Sequence, residues 1–255
     1  MNPCIRPGFQ ALLKVSGVRG RVTSTGISFK LAPKINAAGR IGDPNLAVKL
    51  LLSQSLSEAK PFADKMFTLN QQRQKIEENV LSDALEQARQ QIHQKALILI
   101  DQQWHPGVMG NIASRISKDF GKTTLALTFN NNSSGSINKS TAVGSARSVG
   151  DLDLCRLLQE CRQMLTRFGG HPAAVGLSLN EKNLERFCQR FQQLLNHQSY
   201  TIVPKQALYS KGLVIDAWLN QDEFKPQLDH ELLKLSPFGR GTPEPVLRVR
   251  NVLPH

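Results

Sequence analysis

The sequence predicts an α/β fold organised around a mixed, largely open sheet. Three observations carry that prediction. Short strand-like runs, 96-ALILID-101, 123-TTLALTF-129 and 141-TAVGSARS-148, alternate with segments of helical periodicity. The runs are bounded by turns rich in glycine, proline and asparagine. A glycine-free stretch from about Ser57 to His93, whose one proline is Pro61, separates this alternating region from a different one before it.

Along the chain, residues 1–53 read as loop-rich and basic until 43-DPNLAVKLLLS-53 turns helical, with Asp43 a candidate N-cap and Pro44 the first helical residue. In the glycine-free stretch Phe62, Met66, Leu69, Arg73, Ile76, Val80 and Leu85 recur at three to five residues in polar surroundings. That is the pattern of one long helix bridging two lobes. The first strand runs through a turn into a helix at 107-GVMGNIASRISKDF-120, and the second meets a polar loop, 130-NNNSSGSINKS-140. The third leads into a helix over 151-DLDLCRLLQECRQML-165, where Asp151 and Asp153 read as N-terminal caps and dipole partners. The stretch 168-FGGHPAAVGLSL-179 follows, then a helix over 181-EKNLERFCQRFQQLL-195. From about Tyr200 the pattern changes. A strand (210-SKGLVIDAWL-219), a short helix near 228-LDHELLKL-235 and the turn-rich 236-SPFGRGTPEP-245 look like the entrance to a further domain.

Composition narrows the function classes. With 40% hydrophobic and 20% charged residues in 255, the chain reads as soluble and globular. Its apolar runs are strand-sized, far short of the ~20 residues of a membrane span. The start, MNPCIRPGFQ, lacks the apolar core of a secretory leader. Cys4, Cys155, Cys161 and Cys188 have no metal-finger spacing and read as reduced thiols of a cytoplasmic protein. Lys plus Arg is 32 against 20 Asp plus Glu, a net charge of +12 that attracts polyanions. Aromatic content of 6% argues against a base-stacking platform.

Four stretches could carry chemistry, each with a plainer alternative. In 33-PKINAAGR-40 a tight turn would present Asn36 and Arg40, the guanidinium being well shaped for a phosphate; a surface turn with a solvated arginine would look the same. In 104-WHPGVMGNIASRI-116 a glycine-rich turn opens a helix whose free N–H groups suit an anion, beside His105, which could equally be a capped loop histidine. In 144-GSARS-148, Ser145 and Arg147 are two apart on a strand and so share a face, either as a phosphate pocket or as an exposed polar edge. In the fourth, Gly169 and Gly170 let backbone and the His171 imidazole converge on one point, unless the histidine is structural. No D-H-H, H-x-H, Walker loop or G-x-S-x-G is present, and the D-x-D of Asp151 and Asp153 reads better as a cap. On its own residues the chain binds a phosphate-bearing ligand, and no catalytic residue or metal ligand is assigned.

The strings KLAPKINAAGRIGDP, WHPGVMGNIASRI, GSARS and FGGHPAAVGLSL, with LSPFGRGTPEP after them, occur in that order. Together they resemble the RecJ-like family of single-strand-specific 5′-to-3′ DNA exonucleases, within the DHH phosphoesterase superfamily. GGHPAAVG resembles the glycine–histidine signature of the DHHA1 substrate-binding domain. The resemblance implies four parts: 1–53 as the end of a DHH domain, 54–95 as a connecting helix, 96–199 as DHHA1, and 200–255 as the approach to an OB-fold. It places Ser145 and Arg147 at the 5′-terminal phosphate of single-stranded DNA, and Arg40, with Asn36, at the backbone phosphate near the cleavage point. His171, Gly169 and Gly170 fall on the substrate-binding face, and His105 in a matching loop. The family's Mn²⁺ or Mg²⁺ is held by Asp and His residues that lie upstream and are absent from this sequence. The resemblance therefore implies a truncated chain, the DNA-binding portion of a repair and recombination nuclease, inactive alone. The rival readings are one half of a split nuclease working with a separately encoded DHH domain, and a non-catalytic module paired with single-strand-binding or replication proteins. With most of a DHH sheet missing, Leu46, Val48, Leu50, Leu51 and Leu52 are expected to be exposed.

Overall fold

The computed structural model describes residues 6–20, 22–130, 141–197, 214–239 and 241–250. Cys4, most of the polar loop after the second strand, and the start of the strand predicted at 210–219 lie outside the described residues. The chain divides into two compact units, Met1–Asn70 with Tyr209–His255, and Gln71–Leu208.

The first unit is helical where the sequence reads as loop. It opens with α1 (Pro7–Val15), α2 (Ala32–Ile41) and α3 (Asn45–Leu52), followed by the start of the long α4 (Leu56–Gln90). The expected tight turn at 33–40 is α2. Pro33 sits in its first turn, where a missing N–H costs nothing, and Ala37 and Ala38 are fully buried. Leu12, Leu31, Leu50 and Met66, all fully buried, complete this core. α3 starts at Asn45, one residue later than the sequence suggests, so Pro44 and not Asp43 is its N-cap; Asp43 Oδ1 still accepts from the Asn45 N–H at 2.9 Å. Of the apolar residues expected on the surface, Leu50 is fully buried, while Val48 and Leu52 remain 52% and 63% exposed.

α4 contributes to two cores. Ala59, Ala63, Met66 and Leu69 belong to the first unit's core, and Val80, Ala84 and Ala88 to one in the second unit. Its 35 residues make a rod roughly 50 Å long.

The second unit contains β1 (Ala96–Ile100), α5 (Met109–Phe120), β2 (Thr123–Asn130), β3 (Thr141–Arg147), α6 (Leu154–Gln159), β4 (Arg167–His171), β5 (Ala174–Asn180) and α7 (Leu184–His197). The sheet order is β1-β2-β3-β5-β4, with β1 and β2 parallel and every other pair antiparallel. α5 is the crossover that a parallel pair requires. Two differences arise here. The glycine–histidine stretch, given no element in the sequence, is a β-hairpin of β4 and β5. The helix predicted over 151–165 ends at Gln159, and a 3₁₀ turn at Arg162–Met164 brings the chain to β4. By Thr166 the backbone is already pairing, its N–H donating to the Ser178 carbonyl at 2.8 Å. Asp153 caps α6 as read from the sequence, accepting from the Cys155 and Arg156 N–H groups at 2.8 and 3.1 Å.

Strand alternation sends side chains to two layers. Leu125, Leu127, Ala146, Val175 and Leu177 face α6 and α7, meeting Leu157, Phe187 and Phe191. Leu97, Leu99 and Ala126 face the other way, toward Met109, Ile112 and Ile116 of α5 and the second half of α4. The outer edge of β1 is closed by Gln87 of α4 and by Gln91, the residue that follows the helix. Gln91 accepts from the Ile98 N–H at 2.9 Å and donates to its carbonyl at 2.8 Å; Gln87 does the same to Ile100 at 3.0 and 3.1 Å. Each amide thus stands in for a neighbouring strand. Just before β2, Lys122 Nζ donates to the Ile92 carbonyl at 2.7 Å, closing the turn that follows α4.

The C-terminal residues add β6 (Ala217–Leu219), α8 (Pro226–Leu233) and β7 (Leu247–Val249) to the first unit, β6 and β7 pairing in parallel. Trp218 of β6 is half exposed, with the guanidinium groups of Arg248 and Arg250 at 4.6 and 4.9 Å from its ring.

Candidate nucleic-acid interface

Directly opposed residues of neighbouring strands share a face, so the pairing of β3, β5 and β4 builds a grid on the α5 side of the sheet. One row is Val143, Ser178, Arg167; the next is Ser145, Gly176, Gly169; the third is Arg147, Ala174, His171. The middle row has one hydroxyl and two bare backbones. Gly169 has no atom within 4 Å of where a Cβ would stand, and Gly176 only the Gly144 carbonyl at 3.9 Å. A groove of about 490 Å³ lies over this floor, bordered by Pro106, Val143, Arg167, Gly169, Gly176 and Ser178.

The start of α5 closes one end of the grid. A Cβ at Gly110 would stand 2.9 Å from Arg147 Nη2 and 3.6 Å from Ser145 Oγ, so the absence of a side chain lets the guanidinium and hydroxyl come against the first turn of the helix. Arg147 is steadied by donation from Nη1 to the Ala146 carbonyl at 2.8 Å. Next to Gly110, the Asn111 amide donates to a Glu77 carboxylate oxygen, and the other oxygen of Glu77 pairs with Arg73. α4 thereby fixes the helix start that covers Ser145 and Arg147. A hydroxyl, a guanidinium and a helix N-terminus together make a site for an oxyanion.

The structure sorts the residues singled out in the sequence. Ser145, Arg147, Gly169 and His171 share one face, His171 two strands from Arg147 and therefore roughly 10 Å away at the backbone. Gly170 points to the opposite face. It has φ +152°, and a Cβ there would stand 2.2 Å from the Ala174 carbonyl oxygen, so its work is in the hairpin. His105 is a cap: its Nδ1 accepts from the Gly107 N–H at 3.0 Å, which leaves Nε2 as the proton-bearing nitrogen of the neutral ring. It borders a different hollow of about 440 Å³, with Asp83, Asp101 and Trp104. Asn36 and Arg40 lie in the first unit, one turn apart on α2, and so share a helical face; Asn36 is exposed and Arg40 half-buried. Arg167 and Ser178 of the grid, and Gly110 above it, were missed in the sequence. The signal for Arg167 was present, since R-x-G-x-H alternates on one side once 167–171 is read as a strand.

Among the described residues no three His, Cys, Asp or Glu side chains converge as a metal ion would need, so the described side chains do not fit a divalent cation. Nor, among them, is any helix long and apolar enough to cross a membrane.

The fold has known counterparts. The DHHA1 domain family matches residues 90–197. The single-stranded-DNA-specific exonuclease RecJ of Bacillus subtilis is 31% identical over 252 residues, covering 97% of this chain and 30% of the relative. The Escherichia coli RecJ is also 31% identical, with 94% and 41% covered. The crystal structure of Thermus thermophilus RecJ in complex with Mn²⁺ superposes with a TM-score of 0.75 at 28% identity, over 95% of this chain and 34% of that one. Its Mg²⁺ complex gives a TM-score of 0.71. The chain thus spans about a third of the length of these relatives. With the DHHA1 match, the shared fold and near-complete alignment on its own side, the chain carries a DHHA1 domain and is a homologue of part of RecJ.

Proposed function

We propose that this chain is the DNA-holding part of a RecJ-type 5′-to-3′ single-strand exonuclease serving repair and recombination. In this reading residues 1–53 close a DHH domain, 54–95 connect, 96–199 bind substrate and 200–255 lead to an OB-fold. Ser145, Arg147 and the first turn of α5 hold the 5′-terminal phosphate. His171, over the bare backbone of Gly169, meets a neighbouring phosphate, and Asn36 and Arg40 steady the strand near the cleavage point. The metal chemistry belongs to residues outside this chain, so it binds ends and does not cut them. The observation that carries the reading is the placement of Ser145 and Arg147 side by side against Gly110.

The test is manganese-dependent digestion of 5′-phosphorylated single-stranded DNA, run beside binding of 5′-phosphorylated and 5′-hydroxyl oligonucleotides. The expected result is no digestion and a preference for the phosphorylated end that Arg147→Ala removes. Processive digestion abolished by a chelator, or equal binding of both ends, would overturn it.

The exposed Val48, Leu51 and Leu52 of α3 favour a second reading, one half of a split nuclease that closes on a separate DHH domain. Adding such a domain should then restore digestion.

A further inference from the structure

α7 turns Phe187, Phe191 and Leu195 into the core beneath the sheet. Its opposite side carries Arg186, Gln189, Arg190 and Gln193, spaced by three and four so that they line up along one face. Across from them stand the end of α6 and the 3₁₀ turn, with Gln159, Arg162 and Gln163. An open cleft of about 760 Å³ lies between these walls.

Its chemistry is one-sided. Glu160 is the one carboxylate in the lining and Met164 the one apolar side chain. Among the described residues, none of Arg162, Arg186 and Arg190 forms an ion pair. Arg162 is held in place, donating from Nη1 to the Leu165 carbonyl at 3.2 Å with its guanidinium 5.8 Å from the Phe168 ring. Arg186 and Arg190 are exposed to solvent. Three guanidinium groups beside a single carboxylate raise the local concentration of anions. The glutamine amides add hydrogen-bond donors without adding charge. A peptide motif would want an apolar pocket for an anchoring side chain, and this lining has none. A phosphodiester backbone wants only charge and donors.

We propose that the Arg162–Arg186–Arg190 cleft binds the phosphodiester backbone of a nucleic acid, independently of any strand end. It lies on the sheet face opposite Ser145 and Arg147 and shares no side chain with them. The proposal extends the reading of the chain as a DNA binder and assigns a second contact on the same unit.

The test uses the full chain and a circular single-stranded oligonucleotide, which has a backbone and no end. By fluorescence anisotropy, Arg186→Gln/Arg190→Gln should bind the circle about tenfold more weakly at low salt. The slope of log affinity against log salt should fall by roughly 1.4, two lost phosphate contacts. The double variant should keep the preference for 5′-phosphorylated ends that Arg147→Ala removes. Unchanged affinity and slope in the double variant would sink the proposal, whatever becomes of the end preference. An acidic peptide of equal charge binding the cleft more tightly than the circle would also overturn it, in favour of a protein partner. Both arginines are exposed, so a matching thermal melt confirms the fold; Arg190→Gln alone, with half the slope change, serves if the double variant melts early.

Discussion

Gly110 and Arg147 are in contact through the absence of a side chain: a methyl group on the glycine would stand 2.9 Å from the arginine's Nη2. The guanidinium is the end of a flexible side chain, so it can swing aside without disturbing the backbone. Gly110→Ala should therefore leave the protein as stable or raise stability by up to ~1 kcal/mol, because alanine favours the helix. The swing should nevertheless cost about tenfold in affinity for a 5′-phosphorylated oligonucleotide, one misplaced charge-assisted contact. Thermal melting and anisotropy on the same sample separate the two effects. Parallel loss of stability and binding would mean that Gly110 is merely structural.

Gly169 and Gly170 are neighbours with opposite duties. Alanine at 169 meets open space, while alanine at 170 meets the Ala174 carbonyl at 2.2 Å on a backbone with φ +152°. Gly169→Ala is expected to fold normally and to weaken DNA binding by raising the groove floor. Gly170→Ala should destabilise the β4–β5 hairpin by roughly 1–3 kcal/mol. Hydrogen exchange across residues 167–180 distinguishes them.

The glutamine clamp on β1 can be opened. Gln91→Ala leaves the Ile98 N–H and carbonyl without their partners, at a cost of roughly 1–2 kcal/mol. Faster exchange of the Ile98 amide is expected first. Greater light scattering at high concentration should follow, since an open strand edge invites pairing with another molecule. If the Ile98 amide exchanges at the wild-type rate, water has replaced the glutamine without loss.

Burial pushes the Cys161 and Cys188 thiols up to about 11, with Arg190 opposing the shift at Cys161. An unfolded thiol ionises near its ordinary 9.0. The contribution of each to stability is therefore complete below about pH 9 and lost as pH rises toward 11. In a Cys4→Ser/Cys155→Ser background, the native protein should react with a disulfide reagent at pH 8 far more slowly than the denatured chain. Equal rates would show that these thiols are open to solvent.

The parts of the fold legible in the sequence are those where local pattern and packing agree. The run 96-ALILI-100 is a strand because its aliphatic residues have two layers to bury into, and the glycine-free segment is a helix because, apart from Pro61 in its second turn, its residues favour one. The segment 33–40 misled because proline and glycine usually mark turns, whereas here Pro33 sits in a first helical turn and Ala37 and Ala38 fill the core. The hairpin was hidden because glycine has little preference for strands, so R-F-G-G-H becomes one only through pairing with β5. Ser145 and Arg147 could be placed on one face from their spacing alone. Their relation to His171 could not, since it depends on a register that crosses β5. The roles of Gln87 and Gln91 were invisible for another reason: a glutamine that faces water and one that seals a strand edge are the same letter.

That seal bears on how the molecule can be divided. The match to the DHHA1 domain begins at residue 90, yet Val80, Ala84, Gln87 and Ala88 lie before it. An expression fragment cut at that boundary would lose the cover over Leu97 and Leu99 and the Gln87 partner of Ile100, turning a finished sheet into a sticky one. The smallest piece that can be isolated intact should begin near Gln71, with half of the long rod carried as its lid.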